Sequence, residues 1–397
     1  MVTSTPPQVD VLIVGAGAVG LTAAVALRRR GVRVRIVDAA LAGATTSRAA
    51  VIHARTLEVL DEIGVAARIL DEGVVVPDFT VRERARTLAH IDFRGLRTPY
   101  PFTLMLSQAR TEEILDAALI GHGCRVERDV EFVSFAAPGP GERALLRHRD
   151  GTLETVAARF VIGADGLRSR VRQERAIAFD GDEYEASFVL ADVSLSWPLP
   201  AAEVQLFFGE RGLVVIAPLP GGRHRIVATM DDAPAQPTVA DVQRILDDRG
   251  PGEAVVHSVV WSSRFRVAHR LAARFRDGNV FLAGDAAHVH SPAGGQGMNL
   301  GIQDAVALAA LLADVLVGSR ADEDLAEYER TRRAAARRVI ALTDRMTRLA
   351  TLRSPILRSV RNAVIGVLLR SPRRQTALAR RIAQLDGPVE AAPPRRG

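Results

Sequence analysis

Residues 9–38 most narrowly restrict what this chain can fold into. VDVLIV (9–14) reads as a buried strand, and Gly15, Gly17 and Gly20 follow it in the spacing G-x-G-x-x-G. A helix over 18–30 comes next, ending at Gly31, where a left-handed cap favours glycine. VRVRIV (32–37) then alternates as a strand should, and Asp38 closes it. Strand, glycine turn, helix and strand within about 30 residues make a βαβ unit. Gly15 permits the tight turn, Gly17 lets a pyrophosphate approach the backbone, and Gly20 lets helix and strand pack closely. The helix N-terminus offers free N–H groups to the phosphates, and Asp38 is placed to accept the hydroxyls of a ribose. The unit reads as dinucleotide-binding without separating NAD from FAD. Residues 11–27 are apolar enough to imitate a signal peptide or a membrane span. No Lys or Arg precedes them, however, and the run is short for a span. We therefore expect a cytoplasmic protein with no integral membrane segment.

The remaining pattern predicts an α/β fold, a Rossmann-like domain with an inserted antiparallel-sheet domain and a C-terminal helical segment. Helices are expected over 54–70 and 109–121. Strands over 143–149 and 152–157 flank Asp150-Gly151, a strong hairpin signal, and RFVIG (159–163) is another buried strand. Short β-rich runs at 187–195, 204–208, 213–217, 225–229 and 255–261, separated by Pro/Gly turns, suggest the inserted sheet. NVFLA (279–283) returns to the first domain, and long helices follow over 301–317 and 323–350. We divide the chain into a discontinuous cofactor domain (1–75, 101–172, 273–330), a substrate domain (76–100, 173–272) and a basic helical segment (331–397).

Composition excludes several chemistries. The one cysteine, Cys124, rules out an intramolecular disulfide, a thiolate zinc site and dithiol redox chemistry. The chain contains no lysine, which rules out a Schiff base, a P-loop lysine and lysine-dependent halogenation. Residues 331–397 hold 16 Arg against three acids, a net of +13, so with +6 overall the rest carries −7. A basic tail on a mildly acidic body does not make a nucleic-acid surface, and no nucleic-acid partner is expected. Helices over 355–369 and 373–385 are amphipathic, with Ile356, Leu357, Val360, Val364, Val367 and Leu368 on one side. We expect that stripe to pack on the protein's own body. The alternative is docking on an anionic membrane surface or a partner.

Two further motifs carry chemistry. Residues 284–299, GDAAHVHSPAGGQGMN, start at a strand end and enter a helix near 299. Asp285 sits where a carboxylate can accept hydrogen bonds from a polyol such as ribityl. The glycines at 294, 295 and 297 let backbone amides approach something flat. The helix dipole behind them favours negative charge on a flavin N1–C2=O edge by at most ~2 kcal/mol, little more than one pKa unit. Such a site tunes a flavin whose chemistry is its own. His288 and His290 imitate a metal pair, but lack a third ligand at metal spacing, and no metal site is expected. Residues 163–172, GADGLRSRVR, place Asp165 and three arginines after a strand. By themselves they are an acidic turn beside a basic helix start.

Together, in this order and spacing, the three motifs resemble the FAD-dependent aromatic hydroxylases (class A flavoprotein monooxygenases of the para-hydroxybenzoate hydroxylase fold), over about residues 9–345. The resemblance implies FAD as cofactor, NADPH or NADH as transient co-substrate, and O₂ with a small aromatic substrate, phenolic or polyketide-like, as reactants. It implies hydroxylation through a flavin C4a-hydroperoxide by a monomer or homodimer. It places Asp38 on the adenosine ribose, Arg48 along the pyrophosphate, Gln108 at the ribityl–adenosine side and Asp165 between FAD and NAD(P)H. Asp285 would bind ribityl. Gly297, Met298 and Asn299 would meet the isoalloxazine edge, with Pro292, Gly295 and Gln296 beside the reacting carbon. Arg55 is either a cofactor contact or one half of a helix salt bridge. The chain departs from the pattern at Ala39, where a basic residue is common, and none of Tyr100, Tyr184 or Tyr328 aligns with a phenol-deprotonating role. Relatives with GGQGMN also often carry a further thioredoxin-like domain. Baeyer–Villiger oxygenation, oxidation or C=C reduction by a related flavin enzyme is the alternative reading, and a flavin-binding sensor a third.

Overall fold

The computed structural model describes residues 9–43, 49–136, 141–209, 212–230, 233–352 and 354–386, apart from the side chains of 183–186 and 266–267. The fold is mixed α/β, as the pattern predicts. Its first sheet runs, in spatial order, Arg276–Asp277, Val280–Leu282, Leu153–Gly163, Val9–Val14, Val34–Asp38 and Val126–Arg128. The last five of these pair in parallel. Parallel strands are covered on both faces and so read as continuous apolar runs, which is why VLIV, FVIG and VFL are nearly inaccessible. The register aligns the strand ends: Val14 lies opposite both Gly163 and Val37, and Gly163 opposite Leu282.

The two runs expected at 152–157 and 159–163 are one strand, Leu153–Gly163. Its first half pairs with Glu142–His148 across a turn in which Gly151 takes φ +84°, and its second half joins the parallel sheet. The helix expected over 54–70 is two, Ala54–Glu62 and Ala66–Glu72, broken where Gly64 takes φ +78°. Helices Ala18–Arg29 and Gly297–Leu316 cross closely at Val19. A Cβ on Gly301 would lie 2.6 Å from the Val19 side chain, and one on Gly284 2.8 Å from it. Gly297–Leu316 is apolar and long enough to cross a bilayer, yet 72% of its most apolar window is buried inside the fold.

A second sheet of eight strands holds the inserted region. Its long antiparallel pair, Phe179–Ser196 with Val255–Ala272, extends well beyond the predicted runs, because bulges such as that between Asp192 and Val193 interrupt the alternation. Helix Val239–Arg249 was not legible as a run, although Thr238 and Asp241 form a capping box at its start. It covers the outer face of the sheet, where Val242, Ile245 and Leu246 meet Val189, Phe207, Val214 and Ile226. On the inner face, Phe79, Val81, Val204, Leu206, Val215 and Ala217 cluster with Ala50, Met105, Ala379 and Ile382. The apolar residues of these strands therefore divide between two cores.

Helix Ala326–Ala350 buries Tyr328, Arg332, Ala336, Thr343 and Thr347. Tyr328 donates its hydroxyl to the Leu282 carbonyl at 2.7 Å, a core role. One packing expectation is overturned. The apolar stripe of helix Pro355–Leu368 does not rest on the body; it faces outward, and Ile356 is 74% exposed. The side turned inward buries Arg361 and Asn362, and packs Ile365 and Leu369 partly against the inner-sheet cluster. Arg361 donates to the Leu349 carbonyl at 2.8 Å and lies 4.5 Å over the Phe208 ring, and Asn362 bonds Glu83. The final helix, Pro372–Ile382, does pack inward, through Ala379 and Ile382.

Candidate active site

All three sequence motifs leave the carboxyl ends of adjacent parallel strands, the edge where open α/β sheets bind ligands. Gly15 follows Val14, Asp165 follows Gly163 by two residues, and Gly284 and Asp285 follow Leu282. Two bonds fasten the motifs together: Ala283 N–H donates to the Gly163 carbonyl (3.0 Å), and Arg172 Nη1 to the Ala286 carbonyl (2.8 Å).

At the glycine turn, Gly15 takes φ +100°, and a Cβ there would lie 2.4 Å from the Ala164 carbonyl oxygen. A Cβ on Gly20 would lie 1.9 Å from the Gly15 carbonyl oxygen. At Gly17 a Cβ would meet only Glu112 Oε1, at 3.6 Å, so the turn is open at the position assigned to pyrophosphate approach. Asp38 Oδ2 accepts from Ala16 N–H (2.6 Å) and Oδ1 from Ala40 N–H (2.7 Å), which fixes the carboxylate at the rim of the turn. Gln108 reaches Glu112 (2.8 Å), and Glu112 Oε1 accepts from Ala18 N–H (3.1 Å). Glu112, a buried acid at the start of the dinucleotide helix, escaped the sequence reading. Its signal was the i, i+4 spacing from Gln108. Arg48 lies outside the described residues. Arg55 forms the helix salt bridge, to Glu58 at 2.6 Å.

Asp165 Oδ2 accepts from the N–H groups of Arg170 (2.7 Å) and Val171 (3.1 Å). Its Oδ1 is buried with no partner among the described residues, and burial pushes the carboxyl up from its usual range. Asp285 is exposed on the single 3₁₀ turn Gly284–Ala286. Behind it lies a buried ionic cluster that the sequence did not reveal. Asp304 receives His288 Nε2 (2.5 Å), Arg332 Nε (2.7 Å) and Gly284 N–H (3.3 Å). Burial works to raise the Asp304 pKa, but His288 and Arg332 together outweigh it and hold the carboxylate below its usual range.

Pro292, Gly295 and Gln296 share one turn, closed by Gly295 N–H to the Pro292 carbonyl (2.9 Å). Gly294 and Gly295 have φ +79° and +64°, and a Cβ on Gly295 would strike Val51 at 2.7 Å. Asn299 shapes this turn from the helix start. It accepts from His53 N–H (2.8 Å) and donates to the carbonyls of Val51 and Gly295, both at 2.7 Å. Met298 packs against the main core, and the His290 ring lies near Gly297. His53 is fully buried, with Nε2 2.8 Å from the Gly294 carbonyl. Burial lowers its pKa to about 4, so at neutral pH the ring is uncharged and Nε2 carries the donated proton. Gln296 is buried, and its carboxamide is held by protein partners. It donates to the carbonyls of Gly294 and Ile382, both at 3.0 Å, and accepts from Gln384 Nε2 at 2.5 Å. Gln384 also bonds Gln303, and Arg55 N–H donates to the Ala383 carbonyl (3.3 Å). Neither His53 nor Gln384 stood out in the sequence; each lies far along the chain from the loop it serves.

A family model described as an FAD binding domain matches residues 8–343. The chain belongs to the FAD-dependent aromatic hydroxylase family. It is 42% identical to 6-methylpretetramide 4-monooxygenase of Streptomyces rimosus, over 88% of this chain and 64% of that protein. It thus spans less than two thirds of that relative. The crystal structure of p-nitrophenol 4-monooxygenase PnpA from Pseudomonas putida DLL-E4 superposes with a TM-score of 0.85 at 25% identity, covering 96% of this chain and 98% of that one. Aklavinone-11 hydroxylase, solved with FAD and aklavinone, superposes with a TM-score of 0.76 at 28% identity, over 89% of this chain and 71% of that one. The cofactor of the family is FAD. This chain's own residues fit it: a glycine turn open at Gly17, a buried Asp165 oxygen without a partner among the described residues, and a left-handed Gly294–Gly295 bend that lies tight against Val51 at Gly295.

Proposed function

We propose that this protein is an FAD-dependent monooxygenase that hydroxylates an aromatic ring, phenolic or polyketide-like. In the overall reaction NAD(P)H, a proton, O₂ and substrate give NAD(P)⁺, water and hydroxylated product. Bound FAD supplies the electron transfer from NAD(P)H and the transfer of one oxygen atom to the ring. The observation that carries the reading is the convergence of three motif loops on the register-aligned ends of adjacent parallel strands.

The residues divide the work. Gly15, Gly17 and Gly20 admit the pyrophosphate with Arg48, Asp38 holds the adenosine ribose, and Gln108 and Asp285 hold the sugar and ribityl hydroxyls. Asp165 would hold the cofactor on the side from which the nicotinamide approaches. The backbone amides of Gly297 and Met298, at the start of helix Gly297–Leu316, favour negative charge at the isoalloxazine edge. Pro292 and Gly295 would hold the flavin on its reacting side. Gln296 and Asn299 act on that turn as positioning residues, because their carboxamides are bonded to protein partners.

The test is an absorbance spectrum of the purified protein, then NADPH and NADH oxidation with and without phenols and fused-ring aromatics. A flavin spectrum, substrate-stimulated oxidation and a product heavier by one oxygen atom are expected. Oxidation without an oxygenated product moves the assignment to another flavin reaction. Absence of flavin after reconstitution with FAD overturns it.

A further inference from the structure

Helix Pro355–Leu368 rests on the body through Ile365 but turns most of its apolar residues outward. At 3.6 residues per turn, Ile356, Leu357, Val360, Val364, Val367 and Leu368 fall within an arc of about 120°. All six are exposed. The polar side chains Arg361 and Asn362 point inward, and both are buried. Their bonds to Leu349 and Glu83 fix the helix in this rotation. Turning the stripe inward would break those bonds and leave the Leu349 carbonyl and the Glu83 carboxylate without these donors. The outward stripe is therefore a property of the folded chain.

Charge identifies what covers it. Between Asp344 and Asp386 the sequence holds ten arginines and no acid. Arg370, Arg373 and Arg374 are exposed at the end of the stripe, where the chain turns into helix Pro372–Ile382. Charge also disfavours a second copy packed with its helix parallel to this one, since that contact would bring the same arginines together. The helix is also too small: ~21 Å long, it offers roughly 200–400 Å², against ~800 Å² per partner in a stable protein interface. An apolar stripe beside guanidinium groups matches instead the two layers of an anionic bilayer surface, acyl chains below and phosphates above.

We propose that the helix Pro355–Leu368, with Arg370, Arg373 and Arg374, docks the protein peripherally on anionic lipid membranes. The full chain is sedimented with phosphatidylcholine vesicles, with and without phosphatidylglycerol. At least tenfold more protein should bind the anionic vesicles at low salt, falling steeply as salt rises. The triple substitution Ile356→Ser, Val360→Ser, Val364→Ser should lower binding about tenfold or more, and Arg370→Gln, Arg373→Gln, Arg374→Gln several-fold. Both sets lie on the surface, and circular dichroism should show unchanged helix content. The proposal is overturned if anionic vesicles bind no protein, or if the serine variant binds as well as the parent. A dimer in light scattering that the serine variant dissociates also overturns it, assigning the stripe to a second copy.

Discussion

Helices Gly297–Leu316 and Pro355–Leu368 are both rich in apolar residues, and they use them in opposite ways. The first buries Leu300, Ile302, Leu308 and Leu312 against the dinucleotide helix and encloses Asp304. The second encloses Arg361 and Asn362 and turns its valines out. Hydrophobic periodicity identifies a helix and its stripe but does not say where the stripe points. That depends on which polar side chains on the other face find partners. Asp304 finds His288, Arg332 and Gly284; Arg361 finds a carbonyl and an aromatic ring.

The contrast can be tested by removing the groups that enforce it. The largest effect is expected from Asp304→Ala, which leaves Arg332 buried without its carboxylate. A loss of ~3–5 kcal/mol in urea unfolding should follow. Asp304→Asn restores less than half if charge is what matters. Acid should act next, through His53. Its folded pKa of about 4 lies below the unfolded value of 6.5. The unfolded chain therefore takes up a proton first, and stability held above pH 6.5 drains as pH falls toward 4, by about 3 kcal/mol in all. Urea midpoints should fall less steeply over that range in His53→Gln than in the parent. Equal slopes would show that the ring is not buried uncharged.

A smaller effect separates geometry from bonding at Gln384, a non-glycine residue held at φ +59°. Gln384→Ala removes the bonds to Gln296 and Gln303 and keeps the strained backbone, for a loss of ~1–2 kcal/mol. Gln384→Gly removes the same bonds but relieves the backbone, and should recover up to ~1 kcal/mol of that. If glycine proves the worse of the two, the backbone is not what resists the conformation. The smallest effect belongs to the outward stripe, where Val360→Ser should change stability in solution by no more than ~0.5 kcal/mol. Leu308→Ala, on the inward helix, should cost ~2–5 kcal/mol, and similar losses for the two would erase the contrast.

Much of the fold was legible because its cues are local. Gly15, Gly17 and Gly20 announce the first turn, Asp150-Gly151 the hairpin, and GDAAHVHSPAGGQGMN the loop that Asn299 and Gln296 shape. What stayed hidden depends on distant partners. Helix Val239–Arg249 carries only a capping box as its signal, and the bulges in Phe179–Ser196 erase the period-two pattern. His53 looks like any histidine before a helix until the fold brings Gly294 to it, and Arg332 is one arginine among many. Inserting Arg361 into the body and leaving Ile356 outside contradicts the usual rule for amphipathic helices, so no pattern of apolar residues alone could have predicted it.

The bond between Gln296 and Gln384 spans 88 residues, and it gives the protein a timetable. A ribosome adding about 5–20 residues per second delivers Gln384 roughly 4–18 s after Gln296. Throughout that interval the emerging chain has its dinucleotide turn, its aligned strands and the sequence of its third loop, but not the fastening that Ile382 and Gln384 give that loop. Helix Pro372–Ile382 thus fastens a loop made well before it, beside a turn made with the first strand.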